Sequence, residues 1–408
     1  MAAGAPSRAA PARSVLFVHH RSELGGAPAS LAQLIEGLDR ERYRPYVFCP
    51  PGQAAELFRA AGATVITGTV SSFTHIWAST YHGRRWLLFV RELARLPLHL
   101  VELRRVLEAE QFALVHLNDS PLVPAAFLAR RHGVPVVWHL RSSLPPYPSA
   151  KSRFLRSAIR RYATASIAIN DDVAASFGTG AETIPNGIDL DRFSPGPAEP
   201  ARTSLGLDPE VPVVTYVGFL YPYKGFREFL RAAALAGEAR FLIVGGAVRD
   251  AAYFRGAAGQ LLARLGLAHD HGREARELVD ELRLEGAVTF VPYTREMPAV
   301  YRASTVVVAP SQGPELGRPV LEAAACGRPV VASGSRDGGG IVVPGKTGVL
   351  ADPGTPALLA EAIGSLLGDA ALAERLGEAA RRHAESSFEL GAVIRRIEAV
   401  YARILAES

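Results

Sequence analysis

Short runs of apolar, mostly β-branched residues alternate with longer helical patterns along almost the entire chain, and few folds accommodate that rhythm. In the first half the strand candidates are Val15–Val18, Tyr46–Cys49, Thr64–Ile66, Leu114–Leu117, Val134–His139 and Ser166–Ile169. In the second half they are Val213–Val217, Phe241–Val244, Val288–Val291, Thr305–Ala309 and Val330–Ala332. Continuous runs of this kind, separated by helices, describe parallel strands covered on both faces. A tract rich in proline and glycine, Ser194-Pro195-Gly196-Pro197-Ala198-Glu199-Pro200, parts the two sets. The reading is therefore α/β with two doubly wound sheets, in domains 1–198 and 199–386. A closing segment, 387–408, keeps helical spacing at Val393, Ile394, Ile397, Val400, Tyr401 and Ile404. At 408 residues the chain is too long for one ordinary core and suits two. Open parallel sheets bind ligands at the carboxyl ends of their strands, so the cleft between the domains is the expected site.

Composition narrows the class further. Hydrophobic residues at 48% against 21% charged indicate a folded protein rather than a disordered one. Two cysteines far apart, Cys49 and Cys326, favour a reducing compartment over a disulfide framework. The net charge of +5 comes without zinc-ligand spacing or an aromatic-basic sheet signature, so no nucleic-acid partner is expected. The apolar run after the Ala/Pro/Arg tail is too short for a signal-peptide core, and no run is long enough to span a membrane. A cytoplasmic location is the expectation.

Three constellations carry chemistry. Gly25-Gly26-Ala27-Pro28 follows the opening strand and starts a helix; it is either a phosphate-binding amide turn or simply a tight connection. Val217-Gly218 leads through Phe219-Leu220-Tyr221-Pro222-Tyr223 to Lys224-Gly225, which places one ammonium at a strand's carboxyl end, where it suits a diphosphate. The third runs from Pro310 to Pro329, with Gly317, Arg318 and Pro319 at a helix start and Glu322 one turn on. There Glu322 either accepts hydrogen bonds from sugar hydroxyls or merely complements the helix dipole.

With these landmarks in order, the chain resembles retaining glycosyltransferases of family four, with the GT-B fold, over nearly its full length. The matching segments are Gly25-Gly26, the strand with His116, Ile169-Asn170-Asp171, Ile184-Pro185-Asn186-Gly187-Ile188-Asp189, Val217-Gly218 with Lys224-Gly225, the Glu322 segment, and Gly345-Lys346-Thr347-Gly348-Val349-Leu350. The resemblance implies two Rossmann-like domains facing a cleft and a last helix crossing back onto the first domain. It implies transfer of a sugar from a nucleotide diphosphate sugar to a glycan or lipid-linked acceptor, with retention of configuration. No metal or other cofactor is implied. Gly25 and Gly26 match the amide contacts to the donor phosphates, Lys224 the diphosphate-binding lysine, and Glu322 the ribose-binding member of a glutamate pair. Tyr293 lies where such enzymes pass backbone near the base. His116, His139 and Arg141 are acceptor-side candidates, with His116 and Glu315 as catalytic candidates; ordinary packing is an equal reading for His116, His139 and Arg141.

Four departures bear on activity. The family's arginine after Val-Gly is Phe219 here, which leaves Arg318 as the cation in position to compensate. The first glutamate of the pair falls on Pro314, with Glu315 one place away. Gly340 stands where the family often has glutamate. A long stretch between two strands, Val248 to Glu285, is expected to form a helical surface insertion; its His269 and His271 are expected to be ordinary surface residues rather than a metal site. A binding-only partner subunit is thus the first alternative, and a sugar-nucleotide epimerase the second. Finally, 84–105 holds six arginines against two glutamates among apolar residues, and 151–161 adds five cations and no acid. These read either as ordinary amphipathic helices, the first broken or kinked at Pro97, or as an interfacial face for anionic lipid on the inner side of a membrane.

Overall fold

A computed structural model describes residues 11–72, 86–144, 149–246, 251–292, 294, 296–313, 317–333, 340–352 and 354–407. The first domain holds a seven-stranded parallel sheet of β1 (Arg13–Val18), β2 (Tyr43–Cys49), β3 (Thr64–Thr67), β4 (Phe112–Asn118), β5 (Val136–Leu140), β6 (Ala165–Ala168) and β7 (Glu182–Thr183). Its order is β3-β2-β1-β4-β5-β6-β7. The second sheet comprises β8 (Val213–Phe219), β9 (Arg240–Gly246), β10 (Val288–Pro292), β11 (Val306–Ala309), β12 (Val330–Ser333) and β13 (Gly348–Ala351), ordered β10-β9-β8-β11-β12-β13. Every named pairing in the second sheet is parallel as well. The apolar runs became strands because both faces of each sheet are covered: Val15, Leu16, Phe17 and Val18 have no exposed surface at all.

Two strands escaped the sequence pattern. β7 is two residues long. β13 starts on Gly348, where an added Cβ would lie 2.6 Å from the Val330 carbonyl oxygen; the strand approaches its neighbour too closely for a side chain. The expected insertion contains helices Ala251–Arg255, Ala257–Arg264 and His271–Glu281. Pro97 does not divide its segment: one helix runs from Trp86 to Ala109 with the proline inside it. Of 84–105, Arg84 and Arg85 lie outside the described residues.

The helix Leu390–Ala406 belongs by sequence to the end of the chain and by packing to the first domain. Its Val393, Ile394, Ile397, Val400, Tyr401 and Ile404 share a core with Val15, Phe17, Leu31, Leu34 and Ile35. Burial of each such side chain contributes roughly 1.5–3 kcal/mol, which outweighs any surface preference of the segment. Glu389 caps the helix through the amides of Gly391 and Ala392, both at 2.6 Å. Glu398 accepts the Asp39 amide at 2.8 Å.

The two connections between domains run side by side. The Ile188 amide donates to the Phe388 carbonyl at 2.8 Å, and the Leu390 amide returns to the Ile188 carbonyl at 3.1 Å. Beside them, one Arg381 nitrogen donates to the carbonyls of Leu190, Phe193 and Ala325. Among the described residues no single helix is long and apolar enough to cross a membrane. Gly187 is fitted to this junction, since a Cβ there would stand 2.8 Å from Leu390 Cδ1 and 2.9 Å from its Cα. Gly187→Ala is therefore expected to cost about 1–3 kcal/mol, measured by urea unfolding. A variant of unchanged stability would show the junction to be loosely packed.

Candidate functional site

In each sheet the strand order reverses at one place, between β1 and β4 in the first and between β8 and β11 in the second. Crossovers leave in opposite directions there and open a crevice at the carboxyl ends. The first crevice is bordered by the segment from His19 to Gly26 and by Asn118-Asp119. The second is bordered by Leu220–Gly225 and Pro310–Gly313. The two face each other directly. A Cβ on Gly25 would lie 3.5 Å from the Phe219 ring, and one on Gly26 would lie 3.7 Å from Arg318 Cγ.

Lys224 ends a single 3-10 turn, Pro222–Lys224. The turn is fixed to the neighbouring strand end, because the Gln312 amide donates to the Tyr223 carbonyl at 2.9 Å. Gly225, with φ 77°, sits so close that an added Cβ would fall 1.8 Å from the Pro310 oxygen. The ammonium lies 5.5 Å from the Tyr223 ring centre, and that ring stacks on Tyr221. Gly317, at φ 80°, begins the helix Arg318–Ala325, with Pro319 in its first turn.

Arg318 is 7% exposed and spans the cleft. One terminal nitrogen donates to Ser30 Oγ at 3.1 Å, on the first domain's helix Gly26–Gly37, and Nε donates to Glu322 Oε1 at 3.1 Å. The other Glu322 oxygen accepts from the Tyr301 hydroxyl at 2.7 Å. Burial first, and the Glu322 charge second, push the Tyr301 hydroxyl well above its ordinary pKa, so it remains a donor. Arg318 is thus a bridge already engaged with protein groups, rather than a cation held open for phosphate. Gly340 has φ 78° and offers its carbonyl to His383 at 2.5 Å, a conformation that suits glycine better than glutamate.

On the first-domain side the structure joins His139, Arg141 and His116 in one network with residues the sequence did not single out. Arg141 donates through Nε to Asn118 Oδ1 and through Nη1 to Asn186 Oδ1, the latter at 2.7 Å. Asn118 meets His19 Nδ1 at 2.9 Å. His139 Nδ1 meets His116 Nε2 at 3.2 Å, and His116 Nδ1 meets the Tyr401 hydroxyl at 2.7 Å. His116 has no exposed surface and both ring nitrogens are engaged. That enclosure corrects the reading of His116 as a catalytic residue: it is a buried side chain held between His139 and Tyr401. His139 and Arg141, by contrast, line a small pocket with Ser30, Asn186, Gly187 and Ile397. His139 Nε2 is buried there without a hydrogen-bond partner among the described residues.

Asp119 was missed. It closes β4 at φ 117°, a conformation rare outside glycine and the kind of strain that marks functional sites. Its carboxylate accepts the Ser120 amide at 2.7 Å, and burial raises its pKa. Only its place after the Val115–Asn118 run could have pointed to it. Tyr293, Pro314 and Glu315 lie outside the described residues. Among the described residues, the one group of side chains with metal-ligand spacing, His269, His271 and Glu274, is on the insertion and not at this network.

Two doubly wound parallel sheets facing each other across a cleft define a two-domain architecture that the comparisons also find. Residues 198–383 match the family Glycosyl transferases group 1, and residues 24–192 match Glycosyltransferase Family 4. A D-inositol 3-phosphate glycosyltransferase of Catenulispora acidiphila is 31% identical over 297 residues, 68% of each chain. One of the same description from Rhodococcus opacus is 36% identical over 213 residues, 50% of this chain and 44% of the relative. The chain spans about half the length of several of the curated relatives it matches. Anabaena HepE, crystallised with UDP and glucose, superposes with a TM-score of 0.76 at 22% identity, over 95% of this chain and 99% of that one. The chain belongs to the family-four glycosyltransferases of the GT-B fold.

Burial dominates the downward pKa shifts of His116 and His139, followed by the Arg141 charge; His19 is pushed down to about 3 by burial, then Arg21 and Arg141. All three are neutral in the folded chain near neutral pH. Below about pH 6.5 the unfolded chain takes up protons that the folded chain refuses, so stability falls by about 1.4 kcal/mol per pH unit for each such histidine. The thermal midpoint is expected to drop between about pH 7 and pH 5, and more gently in His139→Gln. Equal slopes in the variant and the parent would count against this account.

Proposed function

We propose that the chain transfers a sugar from a nucleoside diphosphate sugar to a glycan or lipid-linked acceptor, with retention of configuration and without a metal. The observation that carries the reading is the opposition of the two crevices, with the glycine turn and the helix start at Gly317 across from each other. The amides of Gly25 and Gly26 and the Gly317 helix start meet the negative charge that grows on the leaving diphosphate, where preorganised dipoles need no reorganisation. Lys224 adds the point charge. Glu322, oriented by Arg318 and Tyr301, accepts from the ribose through its remaining lone pairs. The family resemblance alone assigns Tyr293 to the base and Glu315 to the donor sugar, since both lie outside the described residues. Asp119, His139 and Arg141 orient the acceptor hydroxyl, with His139 Nε2 the available ring nitrogen. HepE, whose structure contains UDP and glucose, supports the choice of donor.

UDP is expected to raise the thermal midpoint, because a ligand of the folded state stabilises it. Lys224→Ala is expected to weaken UDP binding roughly 10- to 150-fold, the equivalent of about 1.5–3 kcal/mol for a charge-assisted contact. Calorimetry that finds no UDP binding, or equal binding by the variant, overturns the assignment. The second reading, a subunit that binds donor without turnover, draws on Phe219 packed against Gly25 and on Arg318 committed to Ser30 and Glu322. Donor binding without release of UDP in the presence of any acceptor would select it.

The acceptor side also carries a face suited to a membrane. Along Trp86–Ala109, Trp86, Val90, Leu93 and Val101 are 42–55% exposed at helical spacing, flanked by the exposed Arg91, Arg95 and Arg104. Phe154, on the basic helix Ala150–Tyr162, is also exposed. Apolar rows beside arginines suit the boundary of an anionic bilayer, which supports a position on the inner face of the membrane with a lipid-linked acceptor. Cosedimentation with phosphatidylglycerol vesicles is expected at low salt and is expected to be lost in Leu93→Glu. No cosedimentation at low salt would remove the membrane from the proposal.

A further inference from the structure

The insertion between β9 and β10 carries a cluster that sugar transfer does not use. His269 and His271 flank Asp270, whose side chain caps the helix His271–Glu281 by accepting the Arg273 amide at 3.0 Å. Glu274 lies one turn into that helix, on the same side as His271. The local geometry brings three donor atoms to a point. His269 Nε2 is 3.1 Å and His271 Nδ1 is 2.9 Å from the same oxygen, Glu274 Oε2. All three lie within 4.8 Å of one another. Tetrahedral zinc with bonds of roughly 2.0–2.2 Å places its ligands roughly 3.4 Å apart, so the two nitrogen–oxygen pairs need open only by a few tenths of an ångström to admit the ion.

The surroundings hold these groups in place. Glu274 Oε1 is bound by the Arg227 guanidinium, which turns Oε2 toward the two rings and fixes it there. The two imidazoles face each other with centroids 4.6 Å apart. His271 is further wedged edge-on against Tyr221 and Phe226, at 6.0 and 6.1 Å. The side chain of His269 is 63% exposed, so water can complete the coordination. Two imidazoles and one carboxylate favour zinc-class ions over magnesium or calcium, which prefer all-oxygen sites.

We propose that His269, His271 and Glu274 bind one divalent ion of the zinc class, clipping the insertion to the loop that carries Lys224. The connection is short. His271 rests on Tyr221, Tyr221 stacks on Tyr223 at 5.5 Å, and Lys224 lies over the Tyr223 ring. Phe226, on the other side of His271, opens the helix that follows Gly225. An ion that fixes His271 therefore fixes both ends of the lysine turn, and the site tunes donor affinity without touching the donor. The sequence alone suggested ordinary surface histidines here; what changes the reading is Glu274, which the insertion's helix brings under both rings.

The test uses the full chain, stripped of metal and titrated with zinc chloride by calorimetry. One ion per chain is expected, and His269→Ala and His271→Ala are each expected to abolish that isotherm. His132→Ala, an exposed histidine elsewhere, is expected to leave it intact. Cobalt added in place of zinc is expected to give the visible absorption of a four-coordinate ion in the parent only. No binding, or binding indifferent to His269→Ala, overturns the site. The coupling rests on the donor reading above and is read separately: UDP affinity is expected to rise with zinc in the parent and to stay flat in His269→Ala. Zinc that binds without altering UDP affinity overturns the clip, while absent UDP binding overturns the donor reading and leaves the direct zinc measurement standing.

Discussion

Everything at the cleft depends on two sheets meeting carboxyl end to carboxyl end, and the doubled crossing between the domains is what keeps them so. One segment leaves the first domain at Ile188; the other returns at Phe388 to Leu390, and each hydrogen-bonds the other's backbone. A single connection leaves a domain free to swivel, whereas two paired ones restrict the motion to bending about their common line. Arg318 bridges the two domains beside that line, reaching Ser30 on the far domain while it anchors Glu322 on its own.

The network around Arg141 in the first domain follows a different charge logic. Arg141 is buried and its pKa is pushed down to about 10 by that burial, yet it remains a cation at neutral pH. The chain surrounds it with the neutral oxygens of Asn118 and Asn186 and with histidines that its own charge helps keep neutral. The carboxylate nearby, Asp119, is held at a strained backbone position instead of pairing with the guanidinium. The result is a fixed positive charge close to a buried carboxyl, with neither neutralising the other through a direct ion pair.

Most strands and the linkage of glycine turns to helix starts were legible because hydrophobic periodicity and Gly/Pro punctuation are local signals. What escaped was set by distance in the fold. β13 was hidden because its opening glycine answers to the Val330 carbonyl, not to its neighbours in sequence. His116 looked like a site residue because a histidine inside a buried run matched the family pattern, but Tyr401, 285 positions away, closes over it. Arg318 looked like a free cation at a helix start, and its partner Ser30 is 288 positions distant. Asp119 gave no compositional sign, since strain is a property of the backbone around it. The run through Pro97 shows propensity overruled by the packing of Leu103, Val106 and Leu107 on one side of the helix.

The crossing helix carries a consequence for biosynthesis. Its apolar face finishes the wall of the first sheet, and Tyr401 seals the histidine pair beneath β4 and β5. The amino-terminal lobe emerges early from the ribosome but lacks that wall until some two hundred further residues have been translated. Domains ordinarily fold as they appear. Here the earlier lobe stays incomplete, with the core around Val15, Phe17 and Leu34 lacking one wall, and loss of the last helix strips the first domain as surely as the second.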